Sequence, residues 1–363
     1  MESMSPAAWT VAEVEGNRNW IYPLSAGEGA ELIGAVRAAA RKSGPVDKPI
    51  LDWRRDDFAF DAAIPTLAAA FREVRDGRGM ALVKNLPREG VTPAEFRLMT
   101  WAIGLHFGVA RPQNRASDYI TEVKDAGMAY RSPTGRGYNS KAELDFHVDS
   151  SDVVLLSCYN QAPVGGMSMC SSAATAFAAV TAERPDYSRA LTTDYAFSRN
   201  GEESAEEEPW YAVPVCTTRD GRVFCKWNRN RIQNAQKLDG VPQLSRLQRD
   251  AMEYFDAVLR RPENMFCMYL EPGDLPILCN HTMLHSRTTF EDHAEADKKR
   301  TLYRLWLACP DSRRLPDSWS VFYGTAEPGT VRGGMKGHQY DDVRRNFDAR
   351  QAKAMGMKAA EGE

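Results

Sequence analysis

Two of the six histidines, His147 and His285, stand beside other residues that can bind a metal ion. His147 and Asp149 lie two positions apart in an apolar segment for which we predict an extended conformation. Because strand side chains alternate between faces, the imidazole and the carboxylate then project to the same side and can bind one ion. His285 follows the apolar run 275–279 in a polar loop, and it supplies a third ligand if the two strands are neighbours. Two histidines and one carboxylate leave open positions on Fe(II) for a cosubstrate and O2.

Each of these histidine motifs also has an ordinary structural interpretation. A histidine and an aspartate two residues apart occur by chance in many proteins, and a single histidine often only caps a loop. If the three side chains do meet, a zinc hydrolase can use the same ligand set. The histidines and the aspartate alone therefore leave the metal open.

A pair of arginines helps to distinguish an iron oxygenase site from a zinc hydrolase site. Arg300 and Arg304 are four residues apart in the predicted strand 299–307, so both face the same side, together with Leu302 and Trp306. An arginine on an apolar strand costs free energy unless an anion meets it, and its planar fork matches a carboxylate. The alternative is a solvated strand edge. A hydrolytic zinc site needs no such arginine, whereas an iron oxygenase with a dicarboxylate cosubstrate does.

The order of these motifs resembles that of the taurine dioxygenase/TfdA-like branch of the Fe(II)- and 2-oxoglutarate-dependent oxygenases. The resemblance runs from about residue 145 to residue 310, with weaker similarity at 209–211 and 332–334. It comprises His-x-Asp at 147–149, Gly-Gly-x-Ser at 165–168, Gly-Asp at 273–274, Asn-x4-His at 280–285 and Arg-x3-Arg at 300–304.

The resemblance implies a role for each matching residue. His147, Asp149 and His285 bind Fe(2+). Arg300 meets the distal carboxylate of 2-oxoglutarate, and Ser168 hydrogen-bonds the same molecule where the family usually has a threonine. Serine keeps the hydroxyl, so this departure is mild.

Three further positions take supporting roles under the same resemblance. Asn280 shapes the turn that presents His285, and His281 lies beside the metal site without binding the ion. Arg304 meets an anionic group of the substrate, although the two arginines can exchange roles because both point into one pocket.

The substrate pocket is predicted from the region before the His-x-Asp strand and from a possible lid. The region between residues 111 and 139 shapes this pocket in relatives, whereas we interpret the acidic run 202–208 as a solvated loop. The arginines favour a polar, anionic or zwitterionic small molecule, such as an amino acid, a sulfonate or a specialised-metabolite intermediate. We predict substrate contacts from Arg304, Arg131, Tyr138, Asn139 and Trp210.

The resemblance implies a dioxygenase that uses Fe(2+), 2-oxoglutarate and O2 to oxidise an unactivated C–H bond and releases succinate and CO2. Asp149 stands where related halogenases have a small residue, so hydroxylation, desaturation or ring closure is favoured over halogenation. Two alternatives stay open at this stage. One is a non-catalytic ligand-binding or sensing protein, and the other is a zinc hydrolase with the same triad.

The elements that position these residues predict a mainly β fold with surrounding helices. The resemblance implies a double-stranded β-helix core (jelly roll, cupin-like) with helical and loop insertions. Apolar spacing predicts helices at 30–42, 64–74, 92–104 and 243–259, and strands at 79–85, 264–270, 275–279 and 301–309. Short apolar runs from 119 to 221 predict an antiparallel β core with long loops.

We expect one domain over residues 1–363. Ligands at positions 147 and 285 must meet at one ion, so no domain boundary can fall between them. On this prediction residues 1–118 are a helical and strand support, residues 119–310 hold the β-helix core, and residues 311–363 are a C-terminal extension.

Composition restricts the partners. Lys and Arg number 46 against 49 Asp and Glu, so the formal net charge of −3 argues against a dedicated nucleic-acid binder. The longest charge-free run, 153–182, contains Pro163 and the pair Gly165-Gly166, so we expect no membrane span. Seven scattered cysteines and an N-terminus without a signal-peptide pattern predict a cytoplasmic enzyme. The relatives make a homo-oligomer plausible.

Overall fold

The computed structural model describes residues 5–127 and 137–359, with the backbone alone at Tyr138. The helices are α1 Val11–Gly16, α2 Ala26–Ser43, α3 Ile64–Asp76, α4 Pro93–Phe107, α5 Ala173–Glu183, α6 Pro185–Leu191, α7 Arg229–Ala235, α8 Arg246–Leu259, α9 Ser320–Tyr323 and α10 Asp342–Ala354. The strands are β1 Ile21–Pro23, β2 Met80–Lys84, β3 Val109–Arg111, β4 Ile120–Val123, β5 Val153–Asn160, β6 Val164–Gly165, β7 Ser168–Ser172, β8 Asp194–Ser198, β9 Trp210–Pro214, β10 Cys216–Arg219, β11 Arg222–Cys225, β12 Phe266–Met268, β13 Leu275–Cys279, β14 Met283–Arg287, β15 Phe290–Glu291 and β16 Thr301–Ala308.

Two sheets form the β core. The large sheet has the order β1-β2-β13-β5-β16-β3, with β4 also paired to β16. The small sheet has the order β12-β7-β14 and faces the large one. Buried side chains from both sheets meet in one cluster, which includes Leu278 and Trp306 from the large sheet and Cys170, Phe266 and Met283 from the small one. The predicted double-stranded β-helix is confirmed.

Helices cover the other face of the large sheet. α2, α3 and α4 bury their apolar sides against residues of β2, β5, β13 and β16, including Leu305 and Leu307. A Cβ at Gly104 of α4 would lie 2.3 Å from the side chain of Leu305. The absence of a side chain at this position therefore lets α4 pack closely against β16. β16 is thus fixed from behind, while Arg304 and Trp306, on its opposite face, point between the sheets.

Local signals account for the helices that the sequence predicted. Ser25 caps α2, Thr92 caps α4 and Ser245 caps α8, each by accepting a hydrogen bond from the backbone N–H three residues on. Pro93 opens α4, where its missing N–H costs nothing. The four predicted helices and the strands predicted at 79–85, 264–270, 275–279 and 301–309 are found within a few residues of the expected bounds.

The prediction of a strand at the His-x-Asp motif was wrong, because His147 forms isolated β-bridges and Asp149 lies in the loop before β5. His285, predicted in a polar loop, lies in strand β14, where it pairs with β7.

The prediction of β structure throughout 119–221 was wrong at residues 173–191. Those residues form α5 and α6. The Ala-rich run 173–182 is apolar on every side, so its spacing does not distinguish a helix from a buried strand. Ser172, whose side chain accepts the N–H of Thr175, starts the helix. Among the residues described, no helix combines the length and apolar character needed to cross a membrane.

Candidate metal centre and substrate cavity

The two histidines meet because their backbones pair. The backbone N–H of His147 donates to the carbonyl of His285 at 3.0 Å, and the N–H of His285 donates to the carbonyl of His147 at 2.9 Å. Their side chains therefore lie side by side, with ring centroids 4.4 Å apart. Nε2 of His147 lies 3.9 Å from Oδ1 of Asp149, and Nε2 of His285 lies 3.7 Å from Oδ2. The three ligand atoms lie within 4.8 Å of one another, close enough to bind one metal ion.

Both imidazoles suit metal binding. Nδ1 of His147 lies 2.9 Å from the carbonyl of Asp145, which holds the ring and leaves Nε2 facing Asp149. Burial and the neighbouring His147 lower the pKa of His285 to about 3. His285 is therefore neutral at physiological pH, which is the form that binds a metal.

The carboxylate of Asp149 is held on several sides. The indole Nε1 of Trp306 donates to Oδ2 at 2.9 Å, and Nη1 of Arg304 lies 3.7 Å from Oδ1. The backbone N–H of Asp149 donates to the side chain of Asn280. Burial by itself raises the pKa of Asp149, but Arg304 and the two histidines outweigh it and hold the pKa below its usual value. The carboxylate stays ionised.

The three predicted metal ligands, His147, Asp149 and His285, line one cavity of about 160 Å³ between the sheets. The sequence-predicted residues Ser168, Arg300 and Arg304 line it too. So do Gln113 and the β16 residues Leu302 and Trp306, as the alternation along that strand requires.

Arg300 has a buried guanidinium that is only partly hydrogen-bonded by the part of the chain that the structure describes. Its Nε donates to Oε1 of Gln161 at 2.9 Å, while Nη1 has no hydrogen-bond partner among those residues. A Cβ at Gly166, which has φ +69°, would lie 3.0 Å from Nε, so glycine makes room for this side chain. Burial lowers the pKa of Arg300 to about 10, so the group remains charged. A buried charged donor without a partner fits an anion such as a carboxylate.

Arg304 is anchored differently. Its Nε donates to Oε1 of Gln113 at 2.8 Å, and Nε2 of Gln113 donates to the Arg304 carbonyl at 2.9 Å. The guanidinium also lies over the ring of Trp306, 4.9 Å from its centroid. Gln113 thus fixes Arg304 at the metal end of the cavity.

The structure adds cavity residues that the sequence reasoning missed. Glu202 belongs to the acidic run predicted to be a solvated loop, but it is only 4% exposed and lines the cavity. Its Oε2 accepts a hydrogen bond from Nη2 of Arg231, 2.6 Å away, and the same nitrogen lies 3.4 Å from Sδ of Met335. The acidic run gave no signal for this, because only the fold brings α7 to Glu202.

Lys226 is a buried cation next to this cavity. Its Nζ donates to Oγ of Ser150 at 3.1 Å and lies over the ring of Phe322. Burial lowers its pKa to about 7. A lysine within apolar segments carried no distinguishing sequence signal.

Of the other predicted substrate residues, the two whose side chains the structure describes, Asn139 and Trp210, do not line this cavity. Trp210, at the start of β9, packs beside Ala196, Ala235 and Val241 and is not among the described lining residues. Asn139 is not among them either, although Gly137 is. Arg131 lies outside the described residues, as does the side chain of Tyr138.

Comparisons with known proteins agree with this geometry. A family model described as "Taurine catabolism dioxygenase TauD, TfdA family" matches residues 45–306. The chain is 29% identical to FR-33289 synthase of Streptomyces rubellomurinus over 319 residues, 87% of this chain and 93% of that protein. It is 22% identical to the taurine hydroxylase-like protein SAT17 of Stachybotrys chartarum over 313 residues, 82% of this chain and 77% of that protein.

Solved structures share the fold. An asparagine oxygenase in complex with Fe(II), 2S,3S-3-hydroxyasparagine and succinate gives a TM-score of 0.60 at 17% identity, covering 80% of this chain and 94% of that one. The non-heme iron oxygenase OrfP in complex with Fe and alpha-ketoglutaric acid gives 0.57 at 14% identity, covering 79% and 94%. Because the family model spans well over half of the chain, the protein belongs to the TauD/TfdA family of Fe(II)- and 2-oxoglutarate-dependent dioxygenases, which act on small molecules with O2.

Proposed function

We propose that His147, Asp149 and His285 bind the Fe(II) ion and that Arg300 and Ser168 bind the distal carboxylate of 2-oxoglutarate. One observation carries the proposal. Three ligand atoms converge within 4.8 Å in a cavity that also contains a buried guanidinium whose Nη1 meets no hydrogen-bond partner in the described part of the chain. A zinc hydrolase has no use for that guanidinium, whereas a dicarboxylate cosubstrate satisfies it.

Bound Fe(II), together with 2-oxoglutarate and O2, supplies the oxidant that attacks an unactivated C–H bond. The chain's own residues hold the reactants in register. Asp149 contributes a charge that its neighbours keep ionised, and His285 contributes a neutral imidazole. Arg300 fixes one end of the cosubstrate. Glu202 and Met335 line the same cavity and help to exclude water from it.

The substrate is a small polar molecule with an anionic group, either an anion or a zwitterion. Arg304 meets that group, because Gln113 orients its guanidinium beside the metal ligands. A hydroxylated amino acid is bound in the asparagine oxygenase structure, which favours hydroxylation here over desaturation or ring closure. The two arginines keep distinct tasks in this proposal, since a guanidinium nitrogen of Arg300 finds no hydrogen-bond partner among the described residues, whereas Arg304 is held by Gln113.

We further propose that residues 1–363 form one domain. Arg111 of β3 and Asp348 of α10 form a buried ion pair, which supports docking of the segment 311–363 onto the core. We also propose a cytoplasmic location, which the seven scattered cysteines support, and no nucleic-acid partner, which the charge balance supports. The absence of a membrane partner stays a prediction.

The test begins without a substrate. Fe(II) and 2-oxoglutarate are added anaerobically, and we expect a weak visible charge-transfer band that His147→Ala abolishes. Absence of the band, or its survival in His147→Ala, contradicts the metal site. Exposure to O2 then separates the alternatives, because a binding protein forms no succinate and a zinc hydrolase is indifferent to 2-oxoglutarate.

Substrate and reaction type follow from a screen of small anions and zwitterions that measures succinate release. Mass analysis of the product distinguishes a gain of one oxygen from a loss of two hydrogens. A gain of oxygen supports hydroxylation, and a loss of hydrogens supports desaturation or ring closure.

A further inference from the structure

We propose that the segment 323–338 clamps the metal centre and that Arg332 is a positioning residue for Asp149. The segment lies beyond residue 306, where the family match ends. The proposal rests on the proposed function, in which Asp149 binds Fe(II).

The clamp acts on the residues immediately after Asp149. The Nε of Arg332 donates to Oδ1 of Asp152 at 2.9 Å, and the backbone N–H of Gly334 donates to the carbonyl of Ser150 at 2.5 Å. The hydroxyl of Tyr323, at the end of α9, donates to the carbonyl of Ser151 at 2.8 Å. The C-terminal part of the chain therefore contacts each of the three residues that follow the metal carboxylate.

All three guanidinium nitrogens of Arg332 donate hydrogen bonds, one to the loop after Asp149 and two to carbonyls of residues 313–327. The residue is 1% exposed, and besides Nε its Nη1 donates to the carbonyls of Ala326 and Glu327. Nη2 donates to the carbonyl of Arg313 at 2.7 Å. Three nitrogens in one plane satisfy four acceptors, an arrangement that a lysine ammonium cannot reproduce.

Asp152 also contacts the other elements that carry residues of the metal site. Its Oδ2 accepts the backbone N–H of Cys309, just after β16, and its carbonyl accepts the N–H of Asn280, in the turn before β14. Nε2 of His281 lies 3.3 Å from Oδ1. One buried ion pair thus joins the loop after Asp149, the end of the strand that carries Arg304 and the turn that leads to His285.

Glycine makes the close approach possible. Gly333 has φ +71°, and a Cβ there would lie 2.7 Å from the Ser150 carbonyl. Gly334 has φ +87° and has similarly little room beside Arg111 and Pro112. Glycine at 333 therefore lets the backbone lie directly on the loop after Asp149, and glycine at 334 lets it pass close to Arg111 and Pro112.

Residues that hold metal ligands in place influence affinity strongly even without touching the ion. Loss of such a contact weakens metal binding by about 10- to 100-fold. Removal of Arg332 also leaves the buried carboxylate of Asp152 without its main cation, so the loop must shift to solvate it. Both effects displace Asp149.

The experiment titrates Fe(II) anaerobically into the full-length protein with saturating 2-oxoglutarate and reads the apparent Kd from the charge-transfer band. Circular dichroism checks the fold of every variant. We expect Arg332→Gln and Asp152→Asn to raise the Kd about 10-fold or more. Arg332→Lys should not restore it, because the planar fork is lost. The control is Arg78→Gln, which breaks the partly buried Arg78–Glu73 pair on the N-terminal side of the fold.

A milder variant keeps the test decisive if Arg332→Gln does not fold. Tyr323→Phe removes one hydrogen bond to Ser151 and leaves the ring in place, so we expect a Kd about 5-fold higher. Folded Arg332→Gln, Asp152→Asn and Tyr323→Phe proteins that bind Fe(II) as the control does would overturn the clamp. If instead the wild type gives no band, or Asp149→Ala binds as the wild type does, the proposed function itself fails.

Discussion

Trp306 and Asp149 are 157 positions apart in the chain, and the indole Nε1 of Trp306 donates a hydrogen bond to Oδ2 of Asp149 at 2.9 Å. The tryptophan projects from β16 between the two sheets, and the aspartate lies in the loop before β5. The same strand brings Arg304 to the other carboxylate oxygen, 3.7 Å away. β16 therefore orients the carboxylate of the proposed metal centre by a neutral donor and a cation together.

Trp306→Phe should weaken Fe(II) binding by about 5-fold, because it removes one donor to the carboxylate and keeps an aromatic ring. The anaerobic charge-transfer titration measures this. Trp101→Phe is the matched control, since Trp101 is equally buried but its Nε1 has no hydrogen-bond partner within residues 5–127 and 137–359. Equal loss of Fe(II) affinity in both variants would mean that packing, and not the hydrogen bond, is responsible.

Arg300→Gln should raise the apparent Kd for 2-oxoglutarate by about 10- to 100-fold, because a charged donor to the cosubstrate is lost. In the wild type, 2-oxoglutarate with Fe(II) should also raise the Tm, since it satisfies the unpartnered Nη1. Thermal denaturation with and without 2-oxoglutarate measures this rise in Tm for the wild type and for Arg300→Gln. Lys298→Gln, at an exposed position two residues earlier, should behave as the wild type does. A normal response in Arg300→Gln would remove Arg300 from the cosubstrate site.

Gln113→Ala should weaken substrate binding and leave the binding of 2-oxoglutarate unchanged. Gln113 holds the guanidinium of Arg304 through Oε1, whereas Arg300 is held by Gln161. With a substrate from the succinate screen, we expect a higher KM and more succinate formed per product molecule, at an unchanged KM for 2-oxoglutarate. Asp118→Asn, exposed in the neighbouring loop, serves as the control. A change confined to the 2-oxoglutarate KM would instead indicate that the two arginines exchange roles.

Lys226 should make stability depend on pH in a defined direction. An unfolded lysine has a pKa near 10.4, whereas burial lowers the pKa of Lys226 to about 7. Between roughly pH 7 and pH 10 the unfolded chain binds the extra proton, so this residue makes wild-type stability rise with pH, by at most about 1.4 kcal/mol per unit. Below that window both states are protonated and its contribution is constant.

Chemical denaturation of the wild type and Lys226→Met at several pH values isolates this contribution. The free energy of unfolding of the wild type, relative to the variant, should increase across the window. Lys298→Met provides the exposed-lysine control and should show no such trend. A flat difference for Lys226→Met would show that the buried ammonium keeps its proton.

Local patterns in the sequence determined the chemistry of the site. The two-residue spacing of His147 and Asp149 and the four-residue spacing of Arg300 and Arg304 each place two side chains on one face of an extended segment. These relationships depend only on backbone geometry over a few residues. The sequence therefore sufficed to nominate six polar side chains that line the cavity, four from these two spacings and two, Ser168 and His285, from the order of motifs.

The tertiary structure decided how these segments meet. The pairing of His147 with His285, the burial of Glu202 against Arg231 and the clamp of Arg332 on Asp152 join residues between 29 and 180 positions apart. Such contacts depend on which surfaces pack together. The spacing of apolar residues within one segment does not indicate which distant segment it will contact. The acidic run was predicted to be a solvated loop and residues 311–363 a C-terminal extension for this reason, and only packing brings Glu202 and Met335 to the cavity.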